Sequence, residues 1–112
     1  MTEEDAGVQR FIDQVDAFNA HDLEAFLACY ADDTVIVSTS GAAIVGKDNL
    51  RKSYAARFED ATLHCDIDRV ENRGGGWLEA WERVSSASGE RQVRALFEIL
   101  DGRISRAALF SS

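Results

Sequence analysis

The chain has 112 residues, 46% of them hydrophobic, and sets twenty acids against twelve bases for a formal net charge of -8. That length makes one domain of residues 1–112 with one core. No apolar run approaches the roughly 20 residues of a membrane span, and the acidic balance excludes the clustered Lys and Arg that nucleic-acid binding requires. Cys29 and Cys65 are too few for a disulfide framework and sit in apolar patterns. They read as small buried hydrophobes, and without a secretory signal the expected location is cytoplasmic.

Thr2 followed by Glu3, Glu4 and Asp5 predicts a helix start, with acids at the positive dipole end. Val8, Phe11, Ile12, Val15 and Phe18 then form the stripe of an amphipathic helix of about four turns. Asn19-Ala20-His21-Asp22 breaks it, and Asp22 caps a short second helix with the stripe Leu23, Phe26, Leu27, Tyr30. Ala31-Asp32-Asp33 closes that helical pair. Residues 34–37 and 42–45 predict a strand and its short return. Gly46 and Asp48 open a third helix, with Leu50, Tyr54 and Phe58 on one face. From residue 62 the period changes to two, predicting strands at 62–71, 77–86, 91–100 and 103–110. Glycines 74–76 make a loose hairpin, and Asp101-Gly102 is a strong two-residue turn. Helices first and a meander last give an α+β fold.

Both faces of the last three strands are partly apolar. One reading of the alternation turns Trp77, Glu79, Trp81, Arg83, Ala95, Phe97, Arg106 and Phe110 toward the helices. With Phe11, Val15, Phe18, Tyr30, Tyr54 and Phe58 these would line a concave pocket, since large aromatics among a few polar groups suit such a wall. Leu78, Val84, Leu96, Leu100 and Leu109 would then lie on the outer face with Ala80 and Glu82. Burying each of those large side chains is worth roughly 1.5–3 kcal/mol, and a second copy of the chain is the economical cover. The expectation is a homodimer packed back to back.

The order of elements, with Asn19-Ala20-His21-Asp22-Leu23, Tyr30-Ala31-Asp32-Asp33-Thr34-Val35, Gly46 before a helix and Asp101-Gly102-Arg103-Ile104, resembles the nuclear transport factor 2-like superfamily, in its SnoaL-like and ketosteroid-isomerase-like branch. The resemblance implies a cone-shaped, curved mixed or antiparallel sheet wrapped around a pocket and closed by three helices from the first half of the chain, a cystatin-like α+β barrel, usually dimeric. Fold alone does not set the reaction. Ketosteroid isomerases need a Tyr, an Asp base and a protonated Asp. Their positions fall here on Gln14 or Phe11, on Val37 or Ser38, and on Ala95, and only Tyr54 matches a supporting Tyr. Limonene-epoxide hydrolases use an Arg between two Asp. Glu82-Arg83-Val84-Ser85 resembles their strand with Ser85 in place of the first Asp, and residues 103–112 contain no acid. Neither mechanism is retained.

Glu79, Arg83 and Arg106 remain as candidate catalytic residues, because paired guanidiniums bind a carboxylate or enolate through forked hydrogen bonds. His21 reads as a turn residue, and His64 with Asp66 and Asp68 as a solvated strand face, so neither a metal nor a cofactor is expected. The leading reading is a pocket for a small hydrophobic molecule with a carbonyl or anionic group, in an orphan isomerase-, cyclase- or hydrolase-type enzyme. The alternative is a non-catalytic dimerisation or binding module whose cavity is largely filled by Trp77, Trp81 and Phe97.

Overall fold

Apolar residues at helical spacing form α1 (Glu3–Asn19), α2 (Leu23–Ala28) and α3 (Lys47–Ala55), and a single 3-10 turn (Arg57–Glu59) carries Phe58 just past α3. The structure is a computed structural model that describes residues 3–111, with side-chain surroundings from Ala6 onward; the expected cap Thr2 lies outside these. Helix α1 ends in a double-hydrogen-bonded turn: Asp22 N–H donates to Ala17 C=O at 3.0 Å and His21 N–H to Phe18 C=O at 3.1 Å. His21 takes the left-handed conformation that this turn requires, with φ 56°. Asp22 then caps α2 by accepting from Ala25 N–H at 3.1 Å.

The strands are β1 (Tyr30–Val37), β2 (Ala43–Val45), β3 (His64–Gly74), β4 (Trp77–Ser86), β5 (Gly89–Leu100) and β6 (Arg103–Ser111). They make one sheet in the order β2-β1-β6-β5-β4-β3. Only the β1–β6 pairing is parallel, so the sheet is mixed. The first strand begins at Tyr30, four residues earlier than predicted. Asp32 and Asp33 therefore stand exposed on the strand, with Asp32 3.4 Å from Lys47 at the start of α3. The β5–β6 hairpin turns on Asp101 and Gly102, both at positive φ (52° and 75°), as expected for that dipeptide. Arg10 Nε donates to Gly102 C=O at 2.6 Å, tying α1 to this turn.

The face assignment of β4 is the reverse of the one expected. The hairpin Ser86-Ala87-Ser88-Gly89 pairs its end residues, which sets Ala80 opposite Ala95, Leu78 opposite Phe97 and Glu82 opposite Val93. Cross-strand partners share a face, so Leu78, Ala80, Glu82 and Val84 turn toward the helices, while Trp77, Glu79, Trp81 and Arg83 turn out. In β6 the cause differs. Ile104 faces inward as expected, but a bulge beside Ser105 shifts the register between Ile99↔Ile104 and Glu98↔Arg106. Beyond it the alternation flips. Ala107 and Leu109 point in, and Arg106, Ala108 and Phe110 point out.

The core on the helix side therefore contains Phe11 against Phe97, with ring centroids 5.2 Å apart, and an aromatic cluster centred on Phe26. On the outer face, Arg69 lies over the Trp81 ring at 4.4 Å, and Arg94 over Phe110 at 5.3 Å. Stacking under guanidiniums keeps these rings half-covered without placing them in the core.

Candidate functional site

A cavity of about 120 Å³ lies between the sheet and the helices, lined by side chains from every helix and strand. No flat sheet could contribute six strands to one such space; the sheet curves around it. Phe18, Phe26, Val93 and Phe97 supply apolar wall, Gln14 and Tyr30 a polar pair, and Ser38, Ser53, Arg57 and Arg91 the mouth. Tyr30 Oη donates to Gln14 Oε1 at 3.3 Å.

The acid in this space is Glu82, only 8% exposed. It arrives there through the β4 register just described. Among the described residues no hydrogen bond reaches its carboxyl group, and the Cys65 thiol on the adjacent strand β3 is the neighbour that lowers its pKa. Burial pushes the Glu82 carboxyl up from its ordinary 4.5 to about 7, and the Cys65 contact counters this only in part. Burial and the neighbouring Glu82 charge push the Cys65 thiol far up, so it is a neutral donor. Burial likewise raises the Tyr30 and Tyr54 phenols, which stay protonated. The site thus holds one carboxyl group able to gain and lose a proton near neutrality and two neutral phenols, of which Tyr30 already donates to Gln14. That is the equipment of general acid–base chemistry.

Cys65 is positioned by the end of α1. Asn19 at the end of α1 clamps its backbone, donating from Nδ2 to Cys65 C=O at 3.0 Å and accepting Cys65 N–H at Oδ1 at 2.7 Å. His21 reaches the residue that precedes the same strand, its Nε2 lying 2.7 Å from Leu63 C=O. The Asn19–Asp22 string therefore docks α1 on β3 and fixes one wall of the cavity.

Of the expected lining, Val15, Phe18, Tyr30, Tyr54 and Phe97 are present. Phe11, Phe58 and Ala95 belong to the buried core behind it. Trp77, Trp81, Arg83, Arg106 and Phe110 lie on the opposite side of the sheet, so the two indoles cannot fill the cavity. The three expected catalytic residues are paired outside it: Glu79 with Arg73 at 2.6 Å, Arg83 with Asp68 at 2.9 Å and Arg106 with Glu98 at 3.6 Å. Leu78, Val84 and Leu109, expected on the outer face, are inside, while Leu96 and Leu100 are outside as expected.

Sequence reasoning missed Glu82, Cys65, Arg57 and Arg91 as site residues. For Glu82 the signal was available: a two-residue loop at Ala87-Ser88 sets its parity with Val93. The isomerase-derived positions fare better as places than as chemistry, since Gln14, Ser38 and Tyr54 all border the cavity. Among the described residues no group of three or more His, Cys, Asp or Glu could hold a metal, and no helix is long and apolar enough to cross a membrane.

The SnoaL-like domain profile matches residues 8–107. No curated protein matches the chain. Among solved structures, a nuclear transport factor 2-like protein of unknown function from Mesorhizobium loti superposes with a TM-score of 0.87 at 20% identity, over 100% of this chain and 95% of that one. An uncharacterised cystatin-fold protein from Novosphingobium aromaticivorans gives 0.81 at 20% identity, over 93% and 97%. The epoxide hydrolase/cyclase-like enzyme SalBIII, of pyran ring formation in the polyether salinomycin, gives 0.88 at 10% identity, over 100% and 95%. At these identities the likeness is one of fold.

Proposed function

The chain belongs to the SnoaL-like domain family, and from that membership we propose that it is an enzyme whose cavity binds a small apolar carbonyl compound on which Glu82 moves a proton. One observation carries this reading: a carboxyl group without an ion-pair partner, nine-tenths buried, faces a largely apolar cavity beside protonated phenols. Ionised Glu82 would take a proton from the carbon next to the carbonyl. The electron pair moves to oxygen, where the Tyr54 hydroxyl donates a hydrogen bond, and the proton returns at a different atom. A carboxyl that titrates near 7 serves both halves of that transfer. Size narrows the substrate. Drug-sized sites run from ~300 Å³, so a cavity of about 120 Å³ holds on the order of one ring. A steroid is too large.

Proton transfer is testable without the natural substrate. Cyclohexanone in D2O should exchange its α-protons at a rate that saturates with ketone and rises with pH through about 7. The Glu82→Gln protein should show at least ~100-fold less protein-dependent exchange, the usual scale for a lost general base. Exchange unaltered by that substitution overturns the assignment.

We propose further that the outer face pairs with a second copy of the chain. Leu96 and Ala108 are directly opposed across β5 and β6 and form an apolar strip. Arg73, Glu79 and Arg94 flank it. A two-fold axis through the strip would set charges of both signs against their complements. Wild-type protein should sediment as a dimer at micromolar concentration and Leu96→Glu as a monomer. A monomeric wild type removes the proposal.

A further inference from the structure

Of the twelve Lys and Arg side chains, only Lys52, Arg57, Arg91 and Arg103 form no ion pair among the described residues. Two of these four stand at the mouth of one cavity. In a chain with a net charge of -8, where carboxylates are plentiful, two guanidiniums kept free at one opening leave a local anion site. The 3-10 turn holds the Arg57 guanidinium 4.8 Å from the Tyr54 ring centroid and 5.9 Å from that of Phe18. Stacking fixes its plane and leaves its N–H groups for a ligand. Arg91 lies opposite Val84 in the β4–β5 ladder, which turns it to the cavity side of the sheet.

The same two arginines, with Val84, also wall a second recess of about 310 Å³. Asp60, Ser86, Ser88 and Glu90 border this outer space. Arg57 and Arg91 therefore occupy a waist between an apolar inner cavity and a polar outer recess that already carries two carboxylates.

We propose that Arg57 and Arg91 form a carboxylate-binding subsite, and that the ligand is a small amphipathic monoanion with its apolar group in the inner cavity beside Glu82 and its carboxylate at the waist. This rests on the reading that the inner cavity binds ligand, and it names the class of molecule. A forked guanidinium suits a carboxylate, and Asp60 and Glu90 repel a second negative charge on any part that extends outward. Ionised Glu82 also repels the carboxylate. The groups facing it are Cys65, Tyr30, Tyr54 and the two arginines, and of these only the arginines are charged. The monoanion therefore binds better at pH 6 than at pH 8, and this dependence disappears in Glu82→Gln.

The test compares 3-phenylpropionate with its neutral amide, by NMR titration at pH 6 of the Ile36, Val93 and Leu109 methyl groups. The acid should bind at least tenfold more tightly than the amide. Arg91→Gln and Arg57→Gln should each erode that preference, and together erase it, with the amide affinity held within about twofold. Phenylsuccinate, with two carboxylates, should bind no better than 3-phenylpropionate. Arg91 is exposed, so Arg91→Gln keeps its fold and remains informative should Arg57→Gln not. Equal binding of acid and amide, or a preference that survives both substitutions, overturns the subsite while leaving the cavity reading in place. Failure of both compounds to shift the cavity methyls overturns the cavity reading and the subsite together.

Discussion

The Glu82→Gln protein should exceed the wild type in stability by about 3 kcal/mol at pH 8 and equal it near pH 4.5. In the fold the Glu82 carboxyl keeps its proton up to about pH 7, whereas in the unfolded chain it loses it near 4.5. Between these values the folded state binds the extra proton, so wild-type stability declines as pH rises through this window and levels off above it. Below 4.5 both states are protonated and no penalty exists. Glutamine has the shape of the protonated acid and cannot ionise, so it escapes the decline. For a domain of this length the gap at pH 8 amounts to roughly 10 °C in Tm, readable by calorimetry at the two pH values. A Tm difference independent of pH would refute the burial of an ionisable Glu82. A protein that retains a destabilising acid in its interior spends stability on function, and the same substitution should abolish ketone exchange.

The fold was open to sequence reading because each of its elements has a local cause. The apolar stripe from Val8 to Phe18 makes α1, and Asp101-Gly102 can close only a tight hairpin. The site was less legible, because it depends on which way a strand faces, and parity is a non-local property. In β4 both alternating sets contain large apolar groups, so bulk argued for Trp77 and Trp81 inside. Pairing decided otherwise: Ala80 meets Ala95, and the Trp81 indole shelters under Arg69 and Arg73 on the outer face. In β6 no count of alternation could succeed, since the bulge at Ser105 changes the phase mid-strand. One residue of slip exchanges the whole set on a face, which is why Glu79, Arg83 and Arg106 took the place of Glu82. Arg57 and Arg91 escaped for another reason. Arg57 sits at an element end, where periodicity says nothing about direction, and Arg91 shares the parity of Ala95 and Phe97 but falls at the first residue of the strand predicted over 91–100.

Phe26→Ala should destabilise the protein by about 3–5 kcal/mol at pH 5, the cost of deleting a buried aromatic ring. Phe26 is 1% exposed and is the hub of the cluster that walls the cavity. Its ring lies 4.9 Å from that of Tyr54, 5.0 Å from Tyr30, 5.2 Å from Phe58 and 6.2 Å from Phe18. The cavity it leaves joins the space beside Glu82, and water admitted there solvates the carboxylate. The two effects therefore oppose each other above pH 7. Ionised Glu82 gains hydration in the variant, so the loss at pH 8 should be smaller than at pH 5 by on the order of 1–2 kcal/mol, within the range of coupling between neighbouring residues. In the Phe26→Ala background, Glu82→Gln should then raise stability at pH 8 by less than it does in the wild type. Strict additivity of the two substitutions at pH 8 would mean that the aromatic wall does not set the Glu82 environment. The desolvation that makes the carboxyl a proton carrier near neutrality would then have to come from elsewhere in the cavity.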